Sequence, residues 1–342
     1  MKTLARLLLR KRQKSRLLLA DIHGKAALCK EETDMLSVII LFVIGLLLIM
    51  FGGDRFVDAS VDIAGKLGIP QLVVGATSVS LGTTLPEILV STTATLGGSP
   101  DIAAGNAFGS IICNTALIAA IGQLVRPTKH ADTKAFNWRM LLFLGFALFL
   151  WAVARTCGGF DRVTGVILIL GFVLYAYLSI KRNDGTGEEE QGTSEGGIIR
   201  PLLTLIICAA LLFVGADLLV DNGILLARAL HVPERVIGVT FIALGTSLPE
   251  LVTAVNALIK GYEDVSLGNI IGANLINLLL VIGIPSAIRG IAVTPEVAGL
   301  DIPLGILLMM ILTVPIFVRK KGYRWQGLLL LAIYAAYCAV QF

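Results

Sequence analysis

The hexapeptide Gly82-Thr83-Thr84-Leu85-Pro86-Glu87 lies in a strongly apolar segment, and a near-copy, Gly245-Thr246-Ser247-Leu248-Pro249-Glu250, lies in another. Each motif places a carboxylate directly after a proline. An ionised glutamate at membrane depth is costly unless another group or an ion pairs with it, so such a residue marks a functional site by default. No lysine or arginine stands beside either motif. We therefore expect Glu87 and Glu250 to hold a cation together.

The composition is that of a membrane protein. Hydrophobic residues make up 56% of the chain and charged residues only 15%. Several apolar runs approach the ~20 residues that a transmembrane helix needs. The sequence therefore predicts an all-α polytopic membrane protein with ten transmembrane helices. The predicted spans are roughly Leu36–Leu67, Leu72–Leu96, Ala103–Val125, Asn137–Ala154, Arg162–Ile180, Ile198–Leu230, Val236–Ile259, Val265–Ile284, Leu300–Val318 and Trp325–Val340.

An internal repeat divides the chain into two halves. An offset of 163 residues, the separation of Glu87 and Glu250, aligns residues 52–120 with residues 215–283 without a gap. Each half then holds five predicted spans. Two like units with an odd number of spans must cross the membrane in opposite senses, as the inverted repeats of many secondary transporters do. We assign residues 35–182 to the first repeat, 198–342 to the second, and 183–197 to a flexible acidic linker.

Residues 1–34 differ from the rest of the chain. They are rich in Arg and Lys, and their apolar runs are too short for a span, which indicates a basic tail. The lysines and arginines of the predicted short loops form a large set on one side of the membrane and a small set on the other. The large set marks the cytoplasmic side. Both termini are then expected outside, which the basic tail contradicts, so we expect translation to start at Met35. The large set includes Arg126, Lys129, Lys260 and Arg319, and the small set includes Arg155, Arg162 and Arg289.

Other kinds of chemistry are not indicated. The five cysteines are scattered singly, the three histidines lie in predicted tails or loops, and the chain has no phosphate-binding loop motif. We expect no cofactor, no nucleic-acid partner and no obligatory protein partner. A passive channel normally builds its selectivity ring from identical subunits, and an intramembrane hydrolase would need a histidine or lysine base beside its nucleophile. We therefore expect the protein not to be an enzyme.

Oxygen ligands accompany both glutamates. A proline inside a helix deprives the carbonyl four residues earlier of its hydrogen bond, so Pro86 and Pro249 should free the carbonyls of Gly82 and Gly245. Such hard oxygen ligands suit Ca²⁺ or Na⁺. Helical spacing places Ser80, Thr83 and Thr84 on the face of Glu87, and Ala243, Thr246 and Ser247 on the face of Glu250. The following spans add stripes of Asn106, Ser110 and Asn114, and of Asn269, Ala273 and Asn277.

Charge balance indicates how such a site would work. One Ca²⁺, two Na⁺ or two protons would each neutralise two glutamates. An empty, doubly ionised site is costly to carry across the membrane, which favours obligatory exchange over uniport. The hydroxyl groups favour Na⁺ as the second ion. Exchange of H⁺ for Ca²⁺ or another divalent cation, through the same glutamates, is the alternative.

Several of these polar residues also have structural interpretations. The hydroxyls could bond back to their own helix, and Asn114 and Asn277 could hold helices together. Asn106 and Asn269 fall near predicted span ends, so we leave them outside the site. Four aspartates recur in both repeats, either as solvated helix ends or on the route of ion access: Asp54, Asp58, Asp217 and Asp221.

The two Gly-Thr-(Thr/Ser)-Leu-Pro-Glu motifs, with the Gly-Asn-x-x-Gly-x-x-x-x-Asn segments that follow them, resemble the paired alpha repeats of the cation/calcium exchanger superfamily. The prokaryotic sodium/calcium antiporters are the most similar type, and the resemblance covers nearly all residues after Met35. It implies ten helices in two inverted five-helix repeats, with long first and sixth helices that slide beside the ion-binding helices. It also implies a Na⁺/Ca²⁺ antiporter of a bacterial or archaeal cytoplasmic membrane.

The resemblance further assigns individual residues. Glu87 and Glu250 would bind Ca²⁺ and share Na⁺, and Thr83 and Thr246 would add backbone and hydroxyl oxygens to them. The sodium sites would be completed by Thr84, Ser247, Ser110, Asn114 and the carbonyls of Ser80 and Ala243. Some members have Asp where this chain has Asn277, and Ser where it has Ala273. We keep Asn277 in the predicted ion-binding site.

Overall fold

The computed structural model describes residues 35–67, 75–97, 100–129, 133–181, 197–230 and 247–341. The basic tail of residues 1–34 and residues 183–196 of the predicted linker lie outside the described residues. So do two of the predicted ligands, Ala243 and Thr246, and residues 236–246 of the predicted span Val236–Ile259.

Helices dominate the described part of the chain. In order they are α1 (Met35–Leu67), α2 (Ser80–Thr83), α3 (Leu85–Leu96), α4 (Asp101–Cys113), α5 (Ala120–Val125), α6 (Thr133–Cys157), α7 (Arg162–Lys181), α8 (Ile199–Ala229), α9 (Leu248–Ile259), α10 (Glu263–Ile276), α11 (Gly283–Arg289), α12 (Ile302–Arg319) and α13 (Arg324–Gln341). Wider π-helical turns occupy Gly75–Val79, Asn114–Ala119, Asn277–Val281 and Val297–Asp301. Two short strands, β1 (Gly159–Phe160) and β2 (Ile291–Ala292), complete the regular structure.

Seven stretches of the described chain are helical, long and apolar enough to cross a membrane, which confirms the prediction of an all-α membrane protein. Leu248–Ile259 and Arg324–Val340 are apolar but shorter. The seven long stretches are Met35–Leu67, Ala103–Val125, Phe136–Cys157, Arg162–Ser179, Ile199–Leu226, Glu263–Arg289 and Val297–Arg319.

Burial separates inner helices from outer ones. In the most apolar part of Glu263–Arg289, 94% of the residues are buried, and in that of Ala103–Val125, 72% are buried. In the most apolar parts of Met35–Leu67 and Ile199–Leu226, only 22% and 28% of the residues are buried. The segments that carry the two asparagine stripes therefore form the centre of the molecule, and the two long helices α1 and α8 lie at its periphery.

Glycine sets the closest approach of α1 and α8. A Cβ atom on Gly45 would lie 2.8 Å from the carbonyl oxygen of Gly215, and one on Gly215 would lie 2.9 Å from the carbonyl oxygen of Gly45. One on Gly52 would lie 3.3 Å from the carbonyl oxygen of Cys208. The repeat offset equates Gly45 with Cys208 and Gly52 with Gly215. The same contact thus occurs twice in reciprocal form, as it does about a two-fold axis.

Contacts between connections group them into two ends of the molecule. At one end, Gly159 of β1 pairs with Ala292 of β2 in a two-stranded antiparallel ladder. This ladder brings together the connections that flank Arg162 and Arg289, two members of the small predicted set of basic residues.

At the other end, different connections meet. The Gly322 N–H donates to the carbonyl of Thr128 over 2.8 Å, and a guanidinium nitrogen of Arg126 lies 3.6 Å from a carboxylate oxygen of Glu263. Arg126, Lys129 and the basic residues near Gly322 all belong to the large predicted set. Connections that carry the large set of basic residues thus meet at one end of the molecule, and connections that carry the small set meet at the other. This agrees with the predicted division of lysine and arginine between the two sides.

Candidate ion-binding site

The Leu-Pro-Glu motif of the first repeat follows an interruption of the helix, at a proline that we had predicted to free the carbonyl four residues earlier. The structure places this proline at the start of a new helix. Helix α2 ends at Thr83, Thr84 has φ −86° and ψ 0°, and α3 begins at Leu85. Ser247, the counterpart of Thr84, has φ −90° and ψ 6° and directly precedes α9.

The prolines therefore begin new helices. Pro86 and Pro249 are the second residues of α3 and α9. In the first turn of a helix an N–H group has no intrahelical acceptor, so proline is tolerated there at little cost. Helices α3 and α9 thus begin in the same way at equivalent points of the two repeats.

The break places each glutamate in the first turn of a helix, Glu87 in α3 and Glu250 in α9. The N-terminus of a helix carries a partial positive charge, which favours a negative side chain there. Both side chains are completely buried, with 0% exposure. No salt bridge to either carboxylate occurs among the residues that the structure describes. Two acidic groups are therefore enclosed in the molecule without a basic partner in that part of the chain.

A hydrogen bond joins the two motifs directly. The Thr84 hydroxyl donates to Oε1 of Glu250 over 3.1 Å, although the two residues are 166 positions apart. The predicted site residues Thr84 and Glu250, one from each repeat, are thereby brought together. The structure thus places the second glutamate beside the break in the first repeat.

Many polar atoms here find no hydrogen-bond partner within the described residues. They are both carboxylate oxygens of Glu87, Oε2 of Glu250, Oγ of Ser247, Oδ1 of Asn114 and both polar side-chain atoms of Asn277. An unsatisfied buried polar group costs about 1–3 kcal/mol. Carboxylate, hydroxyl and amide oxygens of this kind are the ligands that a cation such as Ca²⁺ prefers.

The predicted ligands Asn114 and Asn277 occupy matching positions. Each is completely buried, and each is the first residue of a π-helical turn that follows a regular helix. Such single-turn π-helical segments are frequent at functional sites because they redirect side chains and carbonyls. Ser110, one turn before Asn114, is also buried, with 3% exposure.

Two asparagines that we left outside the site contact it. The Thr83 hydroxyl lies 3.3 Å from Oδ1 of Asn269, which is completely buried. The Asn106 amide donates to the Ser91 hydroxyl over 2.9 Å and to the carbonyl of Glu87 over 3.4 Å. Both asparagines therefore hold residues near the predicted site in place, and their exclusion from the predicted ligands stays a prediction. Their recurrence at the repeat offset is the sequence signal that links them.

Hydroxyls in the first repeat also bond to their own helix, as the structural interpretation suggested. Ser80 donates to the carbonyl of Thr77 over 3.2 Å, and Thr83 lies 3.3 Å from the carbonyl of Ser80. A Cβ atom on Gly272 would collide with the carbonyl of Ala76 and the hydroxyl of Ser80. Glycine at this position lets α10 lie directly against the segment that leads to the first helix break.

Two of the recurring aspartates form a charged contact at the surface. Lys260, which follows α9, has its ammonium nitrogen 2.7 Å from Oδ1 of both Asp54 and Asp58 on α1. Partial burial alone would lower the pKa of Lys260, but the hydrogen bonds to the two aspartates outweigh it and raise that pKa above its ordinary value. Both aspartates are about half exposed, at 52% and 54%. The repeat offset places uncharged Gly97 at the position of Lys260.

Comparisons with known proteins agree with this arrangement. Inner membrane protein YrbG of Escherichia coli (strain K12) is 35% identical over 285 residues, covering 81% of this chain and 88% of YrbG. Sodium/calcium exchanger MaX1 of Methanosarcina acetivorans is 29% identical over 343 residues, covering 89% of this chain and 98% of MaX1. A solved structure of the sodium-calcium exchanger NCX_Mj superimposes with a TM-score of 0.77 at 31% identity and covers 89% of this chain and 99% of NCX_Mj.

These relatives confirm the resemblance inferred from the motifs, and they make the chain an integral membrane protein with prokaryotic membrane relatives. The family described as sodium/calcium exchanger protein matches residues 37–181 and 200–342. The match covers both halves of the chain and leaves out the connection between them, so the chain belongs to the sodium/calcium exchanger protein family.

Proposed function

We propose that the protein is a secondary active antiporter that exchanges Na⁺ for Ca²⁺ by alternating access. The observation that carries this proposal is the enclosed pair Glu87 and Glu250, which lie in the first turns of two helices without a basic partner in the described chain. MaX1 and NCX_Mj, both named as sodium/calcium exchangers, align with this chain over 98% and 99% of their own lengths.

The ligand chemistry supports these two ions. The two motifs supply carboxylate, hydroxyl and carbonyl oxygens, and the asparagine stripes supply amide oxygens. Ca²⁺ takes 6–8 such oxygens. In the proposed site Glu87 and Glu250 bind Ca²⁺ with Thr83 and Thr246, and they share Na⁺ with the remaining hydroxyl and amide ligands. One Ca²⁺ or two Na⁺ neutralise the two carboxylates. The empty site carries a net negative charge into the membrane, so the carrier crosses readily only when loaded.

The proposed architecture has ten transmembrane helices in two inverted five-helix repeats. The similar dihedral angles of Thr84 and Ser247 support the repeat, and so does the reciprocal glycine contact between α1 and α8. The strand pair between Gly159 and Ala292 supports an even number of crossings between those two connections. Four predicted spans lie between them, and this count holds only if the span that contains α9 crosses the membrane.

The proposed orientation follows from the basic residues. Arg126, Lys129 and Lys260 would face the cytoplasm, and Arg155, Arg162 and Arg289 would face outside. Met35 and the C-terminus would then both lie outside. The membrane would be the cytoplasmic membrane of a prokaryote.

The test is uptake of radiolabelled Ca²⁺ into proteoliposomes loaded with Na⁺ and diluted into Na⁺-free medium. Wild-type protein should accumulate Ca²⁺, and replacing internal Na⁺ with choline should abolish uptake. Glu250→Gln removes one of the two charges that bind Ca²⁺ and should abolish it too. The matched control is Glu263→Gln, because Glu263 lies at the surface beside Arg126 and should leave uptake unchanged.

The same vesicles decide between Na⁺ and H⁺. Uptake that ignores Na⁺ but follows an imposed pH gradient would replace Na⁺ with H⁺ as the coupled ion, through the same glutamates. If neither gradient drives Ca²⁺ uptake in wild-type protein, Ca²⁺ is not the transported ion.

A further inference from the structure

A chain of buried amide and hydroxyl groups leads away from Asn114. Its Nδ2 donates to Oδ1 of Asn274 on α10 over 3.3 Å. Nδ2 of Asn274 donates in turn to the hydroxyl of Thr115 over 2.8 Å and lies 3.2 Å from the thioether sulfur of Met309. The side chains of Asn114, Asn274 and Thr115 are all completely buried. Three separate segments therefore meet around one amide group, that of Asn274.

The chemistry of these groups fixes which way each amide faces. A thioether sulfur accepts hydrogen bonds but cannot donate one, so the NH₂ group of Asn274 is the end that belongs beside Met309. Its carbonyl oxygen must then face Asn114. Because that oxygen only accepts, Asn114 has to offer its own NH₂ group. The Oδ1 atom of Asn114 is thereby turned away from Asn274.

That oxygen is one of the buried atoms that have no partner in the described part of the chain. Asn114 begins the π-helical turn Asn114–Ala119 one turn after Ser110, in the stripe that we predicted to line the ion-binding site. A flipped amide would direct two N–H donors to the same place, and a donor repels a cation. The orientation of this one amide therefore decides whether Asn114 can serve as a cation ligand.

The second repeat lacks an equivalent of this hydrogen-bonded chain of side chains. The repeat offset equates Asn114 with Asn277, and it equates Asn274 with Ile111, which has no polar side-chain atom. Accordingly, both polar atoms of Asn277 are without a hydrogen-bond partner among the described residues. Holding one asparagine and not the other makes the two halves of the site unequal.

We propose that Asn274 is a positioning residue that presents the carbonyl oxygen of Asn114 to the transported Na⁺. This inference rests on the proposed function, because it assigns a role within the same ion-binding site. Asn274 does not touch the ion. It acts through Asn114, and Thr115 and Met309 hold it in the required orientation.

The test uses variants that break the series of hydrogen bonds at different residues. Asn274→Leu keeps the approximate size and removes both amide groups, and Thr115→Val keeps the shape and removes the acceptor. Each frees the Asn114 amide to rotate. One lost hydrogen bond is worth about 0.5–1.5 kcal/mol, so the half-saturating Na⁺ concentration for Ca²⁺ efflux should rise roughly 2–10-fold. Thr115→Ser restores the hydroxyl and should return that concentration to the wild-type value.

Two further measurements separate positioning from general damage. Exchange of Ca²⁺ for Ca²⁺ without Na⁺ should keep its half-saturating Ca²⁺ concentration, because the glutamates hold Ca²⁺. In an Asn114→Leu background, Asn274→Leu should add nothing, since its effect passes through the Asn114 amide. If Asn274→Leu does not fold, Thr115→Val with its Thr115→Ser rescue gives the same comparison.

The outcomes distinguish this inference from the proposed function. Wild-type transport that does not depend on Na⁺ overturns the proposed function. Na⁺-driven wild-type transport, with Asn274→Leu and Thr115→Val both within twofold of wild type in half-saturating Na⁺, overturns the role of Asn274 alone. An equal effect of Asn274→Leu with and without Asn114 also overturns it.

Discussion

The hydroxyl of Thr84 donates to a carboxylate oxygen of Glu250 over 3.1 Å, so a residue at the helix break of the first repeat holds the glutamate of the second. The reverse contact is missing from the described residues, where the Ser247 hydroxyl and both carboxylate oxygens of Glu87 have no partner. Two nearly identical motifs thus give two glutamates in different surroundings. Glu250 has one carboxylate oxygen hydrogen-bonded, and Glu87 has neither bonded among the described residues.

Removing the Thr84 hydroxyl should weaken Ca²⁺ binding. Thr84→Val keeps the side-chain shape but leaves Oε1 of Glu250 without its donor. A hydrogen bond to a charged group contributes about 1.5–3 kcal/mol, so the half-saturating Ca²⁺ concentration should rise roughly 10–100-fold. Ca²⁺ uptake into proteoliposomes at graded Ca²⁺ concentrations measures this change.

Thr84→Ser is the matched control for that experiment. It retains the hydroxyl and reproduces the residue that the second repeat has at Ser247, so its half-saturating Ca²⁺ concentration should stay close to wild type. Equal effects of Thr84→Val and Thr84→Ser would show that the methyl group matters and the hydrogen bond does not.

The crossing of α1 and α8 should tolerate alanine at Gly52 but not at Gly45. A Cβ atom on Gly45 would meet the backbone of Gly215 and Leu219 at 2.8 Å, which forces the helices apart. At Gly52 the nearest atoms would lie at 3.2 Å or more, a contact that small shifts relieve. Overpacking costs roughly 1–3 kcal/mol, so Gly45→Ala should lower the melting temperature in detergent clearly more than Gly52→Ala.

Thermal melting followed by size-exclusion chromatography measures both variants, and the order of the two melting temperatures is the decisive result. A Gly52→Ala protein that melts below Gly45→Ala would mean that the Gly45–Gly215 approach does not hold the two helices together.

The sequence predicted the class of fold and singled out Glu87 and Glu250 because both inferences depend on local patterns. Apolar length reveals a span, and a shared offset reveals a repeat. It did not predict that the prolines begin new helices, because a proline can either kink a helix or begin a new one. The outcome depends on the dihedral angles of the residue before it, here Thr84 and Ser247.

The contacts of the asparagines could not be predicted for a different reason. Asn269 meets Thr83 because Gly272 lets α10 lie against the segment Gly75–Val79. Such a meeting is set by how two helices slide past each other, which spacing within one helix does not define. Span boundaries carry the same uncertainty, so Asn269 was assigned to a helix end when it is completely buried.

The contact of Lys260 with Asp54 and Asp58 should affect ion access to the site from the side of the membrane on which Lys260 lies. It ties α1 to the end of α9, so any motion of α1 away from α9 has to break it. Lys260→Gln should favour states in which that side is open. The half-saturating Ca²⁺ concentration should fall about 2–5-fold on the Lys260 side and rise on the opposite side, because apparent affinity follows the population of the accessible state.

Oriented vesicles that expose either face allow this comparison. Asp58→Asn should act in the same direction, and the double variant should do no more than the stronger single one, because both remove one contact. Lys66→Gln is the control, since Lys66 pairs with Asp62 within α1 and donates to the carbonyl of Gly197, and neither of these contacts involves α9. Equal shifts on both sides would show that the contact stabilises the fold and does not bias access.

Binding of the transported ions should stabilise the folded protein without any transport. Glu87 and Glu250 are buried with three carboxylate oxygens unsatisfied in the described part of the chain, and a cation relieves that cost. Ca²⁺ at 100 times its dissociation constant should add about 2.7 kcal/mol and raise the melting temperature. Na⁺ should do so at higher concentrations, and choline should not. The double variant Glu87→Gln with Glu250→Gln should melt at a temperature that is independent of Ca²⁺, and a persistent Ca²⁺ effect in that variant would place the ion elsewhere.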